Sequence, residues 1–218
     1  MPRHSHITKD GPVITVSRET GCFGNSFVME LASYLNKNHG GHRHKNPWKW
    51  VNKEIIYETA NELKVHPNRV QKLFKGEPRQ IMDEVVESLA TRYYKNDRMI
   101  TRAIREIVKK ISEQGYVIIL GRGGVGLIRH IKNTIHIRLH APVEWRIENI
   151  RNKMEMTAEE AKSFVHKKDH QREALIRKFS PGRYGDELFD LSFNCQTIKR
   201  AEIFDSIKAI LKARNLMD

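Results

Sequence analysis

A chain of 218 residues is long enough to bury a full core, and its 39 Lys and Arg against 26 Asp and Glu leave a formal charge of +13. That balance favours anionic partners, from nucleotides to nucleic acid to acidic proteins. Two cysteines exclude a disulfide framework, and no apolar run approaches the roughly 20 residues that cross a bilayer, so a cytoplasmic protein with no membrane partner is expected.

Residues 1–10, MPRHSHITKD, are polar with no apolar core of the kind a signal peptide carries, and predict a loose arm ahead of one domain over 11–218. Residues 13–17, VITVS, predict a short buried strand, and 25–36 a helix with Phe27, Val28, Leu31 and Leu35 along one stripe. Residues 36–50 are turn-rich with a weak strand at their end. His42 and His44 there lack companion carboxylates or cysteines, which favours a surface loop over a metal site. Trp48 and Trp50 suit base stacking and core-edge packing equally.

Helices are predicted over 53–63, from Pro67, over 79–94 and over 97–114. The apolar stripe Met82, Val85, Val86, Leu89, Ile100, Ile104, Ile107 and Ile111 in the last two suggests a helical insert over about 53–114, with a homodimer as one use of it. Residues 116–120, YVIIL, form an apolar strand of the kind buried on both faces, and 134–140, TIHIRLH, the next strand. Helices over 142–154 and 157–179, a last strand over 188–194 and a helix over 199–214 complete the chain. Apolar strands alternating with helices predict an α/β fold, a parallel sheet of about five strands covered on both faces. Ligands bind such sheets beyond the carboxyl ends of the strands.

The loops there are SRETGCFG after the first strand, GRGG after YVIIL and APVEWR after TIHIRLH. The first sits where a phosphate loop of the form G-x-x-x-x-G-K-[S/T] belongs, strand before and helix after. Aligned on Gly24-Asn25-Ser26, it puts Asn25 at the lysine and Glu19 at the first glycine, and keeps Ser26 at the magnesium-binding hydroxyl. Gly21 and Gly24 can still turn amides inward, and the helix that follows adds its N-terminal dipole. Glu19 would repel a triphosphate unless Arg18 pairs with it or itself points at the ligand. Cys22, beside a helix N-terminus, fits a small inert residue better than a reactive thiol.

Together these motifs resemble the cytidylate kinase-like branch of the P-loop nucleoside monophosphate kinases, whose first loop reads S-R-E-x-G-S-G-G, also without lysine. The likeness runs from Val13 nearly to the C-terminus. It passes through WVNKEII at 50–56, GRGG with the strand, turn and arginine helix after it, HKKDHQREALIRKF and FDLSFNCQTI. It implies a P-loop-type sheet, a helical acceptor-binding insert and a lid over about 153–182. It implies ATP and Mg2+ at Gly21, Cys22, Phe23, Gly24, Asn25 and Ser26, with Ser26 toward the metal. Arg146 and Lys168 would attend the donor, and Arg18, Arg122 and Arg172 the transfer, with Asp169 also in the lid.

The pattern is broken in places. Phe23 and Cys22 replace glycine and serine, and phenylalanine is costly at positive φ, which predicts a loop of different shape. Gly123 replaces the aspartate of a G-R-D loop and Asn52 an aspartate of the second segment, both of which point away from cytidine monophosphate. Arg122 would serve as well to cap a strand end, and Arg146, Lys168 and Arg172 as a solvated helix face. The expected function is ATP-dependent phosphoryl transfer to a small acceptor, a nucleoside monophosphate first. A non-catalytic nucleotide or phosphate sensor with a degenerate loop is the alternative. A nucleic-acid-binding protein ranks last, because the basic residues do not interleave with aromatics.

Overall fold

The computed structural model describes residues 11–38, 47–52, 97–121, 123–180, 182 and 185–217, with backbone alone for 97–104. The helices expected over 53–63, from Pro67 and over 79–94 therefore lie outside the described residues, as do His42, His44 and Arg122.

The first strand, β1, is Val13–Arg18, buried but for its last residue, and it leads into α1, Gly24–Asn38. Phe27, Val28, Leu31 and Leu35 form the buried stripe of α1, as their spacing requires. A short β2, Lys49–Val51, is followed among the described residues by α2, Asp97–Gln114, and β3, Val117–Leu120. Then come α3, Gly124–Leu127, β4, Thr134–His140, α4, Val143–Met154, and α5, Ala158–Phe179. A 3-10 turn at Gly185–Leu188 precedes β5, Leu191–Asn194, and α6, Arg200–Ala213.

All strand pairs are parallel, in the order β2-β3-β1-β4-β5. β1 is central, and the chain leaves it toward β3 on one side and β4 on the other. The crevice beyond its carboxyl end is the topological switch point at which such sheets bind ligands. Alternation along the strands feeds two cores. Ile14, Val16, Ile118 and Leu120 pack beneath α1 and α6, while Val13, Val117 and Ile119 pack beneath α2, α3 and the end of α5.

Two strands start later than their sequence suggests. Tyr116 is left-handed at φ 48, its ring filling the space beside Gly11 and standing edge-on to Trp48, so β3 begins at Val117. Residues 188–190 turn instead of extending, because the Asp190 carboxylate accepts the His136 N–H at 2.7 Å and so takes a place a ladder carbonyl would hold. Trp48 is buried and Trp50 packs on the same core, which settles the tryptophans as core-edge anchors. Of the proposed dimer stripe, Ile107 and Ile111 cover the sheet and are not exposed.

α5 is a strut across the carboxyl ends of the strands. Its start is fixed by a capping box, Thr157 accepting from the Glu160 N–H while the Glu160 carboxylate accepts from the Thr157 N–H. Ala161 and Val165 pack on Ile150 of α4. Its far end rests on α3, where a Cβ on Gly123 would lie 2.6 Å from the Phe179 ring and one on Gly126 would lie 2.6 Å from the Phe179 carbonyl oxygen.

Candidate functional site

Residues 19–23 form the loop between β1 and α1, and three features fix its shape. Gly21 adopts φ 94, and a Cβ there would lie 2.7 Å from the Arg146 carbonyl oxygen, so both the backbone conformation and the approach of α4 demand glycine. The Asn149 amide donates to the Gly21 carbonyl at 3.2 Å. Phe23 takes φ 49, the left-handed conformation that is costly for a phenylalanine. The residue is held there because its carbonyl accepts the first helical bond of α1, from the Phe27 N–H at 3.1 Å, and its ring lies 5.1 Å from Lys153 Nζ. The amides of Gly24, Asn25 and Ser26 precede that first helical bond and face the helix entrance, where an anion is favoured.

The Glu19 carboxylate is drawn away from the helix entrance. It meets Arg138 Nη2 at 3.0 Å and Arg146 Nε at 3.1 Å, and accepts the Ala141 N–H at 3.3 Å. Arg146, with a side chain only 9% exposed, also donates to the Ala141 and Thr20 carbonyls and meets Asp169 Oδ2 at 2.5 Å. Asp169, on α5, accepts from both the N–H and the hydroxyl of Thr20 at 2.7 Å. Arg172, one turn on, donates to the Thr20 hydroxyl at 2.5 Å. The loop is thus bound to α4 by Arg146 and to α5 by Asp169 and Arg172. These are charge-assisted bonds in a half-buried setting, roughly twice as strong as neutral ones.

The Arg18 side chain passes over Gly24 and its guanidinium lies against Gly121, where a Cβ would be 2.2 Å from Nη1. It lines a cleft of about 190 Å³ beyond the ends of β1 and β4, together with Arg138, Arg172 and Arg177. Glu19, Asp169 and Glu173 balance part of that charge, and Ile176, Leu188 and Phe189 give the cleft an apolar wall.

Of the expected site residues, Arg18 and Arg172 line this cleft, Gly21, Cys22, Phe23, Gly24, Asn25 and Ser26 belong to the loop and the first turn of α1, and Arg146 braces that loop from α4. The Lys168 Nζ lies 5.3 Å from the ring of Phe164, one turn earlier on α5. The Ser26 hydroxyl donates to the Phe23 carbonyl at 3.0 Å and accepts from Arg200 Nη2 at 2.9 Å, and Arg200 is also paired with Glu30. Thr20 and Arg177 lie within the SRETGCFG and HKKDHQREALIRKF segments but are not singled out by them, and Arg138 and Arg200 have no motif to announce them.

Solved structures share this architecture. An uncharacterized protein from Eubacterium ventriosum superposes with a TM-score of 0.65 at 15% identity, over 94% of this chain and 99% of that one. Shikimate kinase from Bacteroides thetaiotaomicron gives 0.50 at 12% identity, over 94% and 99%. Shikimate kinase from Acinetobacter baumannii, in complex with shikimate, gives 0.50 at 9%, over 97% of each. At those identities the likeness is one of fold. In sequence, 115 residues are 28% identical to a Corynebacterium glutamicum protein named uronate isomerase. The match takes in 51% of this chain but only 21% of that protein, about a fifth of its length. The model of the cytidylate kinase-like family matches residues 13–197, the whole span from β1 to the turn after β5. With its five-stranded parallel P-loop kinase sheet, the chain belongs to the cytidylate kinase-like family.

Proposed function

We propose that this protein transfers a phosphoryl group from ATP to a small anionic acceptor, a nucleoside monophosphate first. The observation that carries the reading is the fastening of the β1–α1 loop to α5 through Thr20, Asp169, Arg146 and Arg172, beside an arginine-lined cleft at the switch point. Phosphoryl transfer asks little covalent chemistry of a protein; it needs positioning and cations around three charged oxygens. The first-turn amides of α1, with Gly21, Gly24, Asn25 and Ser26, would hold the donor phosphates. Arg18 and Arg172 would meet the transferred group from opposite sides, with Arg122 of the GRGG loop as a third cation. Ile176, Leu188 and Phe189 suit the flat, apolar part of an acceptor. α5, bound across the loop, would serve as the lid that keeps water from the transferred group.

Magnesium would enter with the nucleotide and its own waters. Among the described residues no three His, Cys, Asp or Glu side chains converge, and the Arg200 guanidinium beside Ser26 Oγ repels a second cation. Ser26 as it stands therefore does not fit a metal ligand. Arg200 instead brings a cation to Ser26, the neighbour of the Asn25 that stands where a lysine is usual.

The test is magnesium-dependent ADP release from ATP with CMP, dCMP, UMP, AMP, GMP, shikimate or no acceptor. One acceptor is expected to stimulate release at least tenfold, and Arg172→Ala to abolish most of that stimulation. ATP bound without turnover across the panel would favour the sensor, which the absence of lysine at Asn25 supports. Absence of ATP binding would overturn both.

A further inference from the structure

Arg200 is the first residue of α6, and the packing of α6 on α1 decides where its side chain goes. The Phe204 ring stands edge-on to Phe27 at 5.2 Å and lies 5.5 Å from the ring of Tyr34, whose hydroxyl donates to Asp205. These contacts hold the two helices side by side, with their N-terminal ends together. One turn back from Phe204, the Arg200 guanidinium reaches Ser26 and Glu30, themselves one turn apart on α1. Nη2 donates to the Ser26 hydroxyl at 2.9 Å, and Nη1 pairs with the Glu30 carboxylate. The Ser26 hydroxyl in turn donates to the Phe23 carbonyl at 3.0 Å, so the guanidinium is tied to the β1–α1 loop. The start of α6 is fixed by the Glu202 carboxylate, which accepts the Lys199 N–H at 2.7 Å.

Helix N-termini carry partial positive charge, so a cation beside two of them is disfavoured in the protein alone and favoured once an anion joins it. Glu30 offsets part of that charge, but it is exposed and lies a turn further along α1 than Ser26. The fork of an arginine has five N–H donors, and the bonds to Ser26 and Glu30 use two of them.

We propose that Arg200 supplies the cation for the donor phosphates, reaching them from the start of α6 and taking over the charge of the lysine that Asn25 replaces. The inference rests on the reading of the β1–α1 loop and the first turn of α1 as the donor-phosphate site. With a guanidinium on its hydroxyl, Ser26 is no metal ligand, and the positive charge at that position belongs to the chain itself.

The test is calorimetric titration of the full chain with ATP and with inorganic tripolyphosphate, in magnesium and again in EDTA. Arg200→Ala and Arg200→Gln are compared with the parent, urea unfolding reporting that each is folded; glutamine keeps a polar side chain without the charge. Expected in both variants is roughly tenfold or more weaker binding of both ligands, in EDTA as in magnesium. Asn25→Lys added to Arg200→Ala should restore most of the lost affinity, because it returns a cation to the usual place. Lys208→Ala removes a charge two turns along α6, one paired with Asp205, and should leave binding unchanged. ATP affinity within about twofold of the parent in both Arg200 variants would overturn the inference and leave the donor-loop reading standing. An equal loss in Lys208→Ala, or a loss that Asn25→Lys does not restore, would assign the effect to net charge or to helix packing and overturn it too. A parent that binds tripolyphosphate through Arg200 but not ATP would uphold the cation and sink the donor reading. A parent that binds neither would overturn both.

Discussion

At Arg146 one guanidinium serves two carboxylates and two carbonyls from three segments: Glu19 and Thr20 of the β1–α1 loop, Ala141 after β4, and Asp169 of α5. Sequence alone made this residue a choice between a donor contact and a solvated helix face. It is not a solvated face; it is buried and is the cation around which the loop is assembled. Removing one partner of a buried ion network leaves the others desolvated and unpaired, at a cost of about 3–5 kcal/mol. Arg146→Ala should therefore lower the free energy of unfolding by about that amount, read from the midpoint and slope of urea unfolding. Arg146→Lys should recover little, because an ammonium cannot span both carboxylates with a planar fork. A variant as stable as the parent would show that the network is ornamental.

At the scale of elements, the placement of α5 depends on small residues beneath it. Gly126 of α3 lies so close to the end of α5 that a Cβ would meet the Ser180 hydroxyl at 2.3 Å and the Phe179 carbonyl oxygen at 2.6 Å. Its backbone is ordinary, so the constraint is the neighbour and not φ. Gly126→Ala should push the end of α5 outward, costing about 1–3 kcal/mol as other overpacked sites do. Hydrogen exchange should quicken at Thr20 and along α5, while β1 and β4 stay protected. Unchanged exchange at Thr20 would mean that the middle of α5 is held by Asp169 and Arg172 without help from its end. The spans of α5 and α1 were legible in the sequence, because helical patterning such as the apolar stripe of α1 is a local signal. The late starts of β3 and β5 were not, because they arise from Tyr116 against Gly11 and from Asp190 reaching β4.

For the molecule as a whole, the central sheet hides a titratable pair whose effect is on global stability. Thr15 of β1 and His136 of β4 are register partners, with Oγ1 and Nδ1 2.7 Å apart. Burial lowers the pKa of His136 from its ordinary 6.5, with Arg214 adding to the shift and Asp190 opposing it. The unfolded chain therefore takes up a proton near pH 6.5 that the folded protein refuses. The contribution is complete above that pH and is lost as pH falls toward the folded pKa, by at most about 1.4 kcal/mol per pH unit. Thermal midpoints between about pH 7.5 and 5 should fall with acid, and fall less steeply in His136→Gln. Parallel slopes for the two proteins would exclude His136 as the source.

What the chain determined by itself is whatever depends on neighbours in sequence. Alternating strands and helices, the stripe of α1, the span of α5 and a loop of phosphate-binding form were all readable because such patterns act over a few residues. The family likeness was readable too, since its motifs are short and ordered along the chain. Tertiary structure alone decided how Glu19 could stand in a phosphate loop, because Arg138 and Arg146 arrive from β4 and α4. It alone set Arg200 beside Ser26. Those pairings bring together residues far apart along the chain through the register of a parallel sheet, whose crossovers carry no local record of which loops will meet.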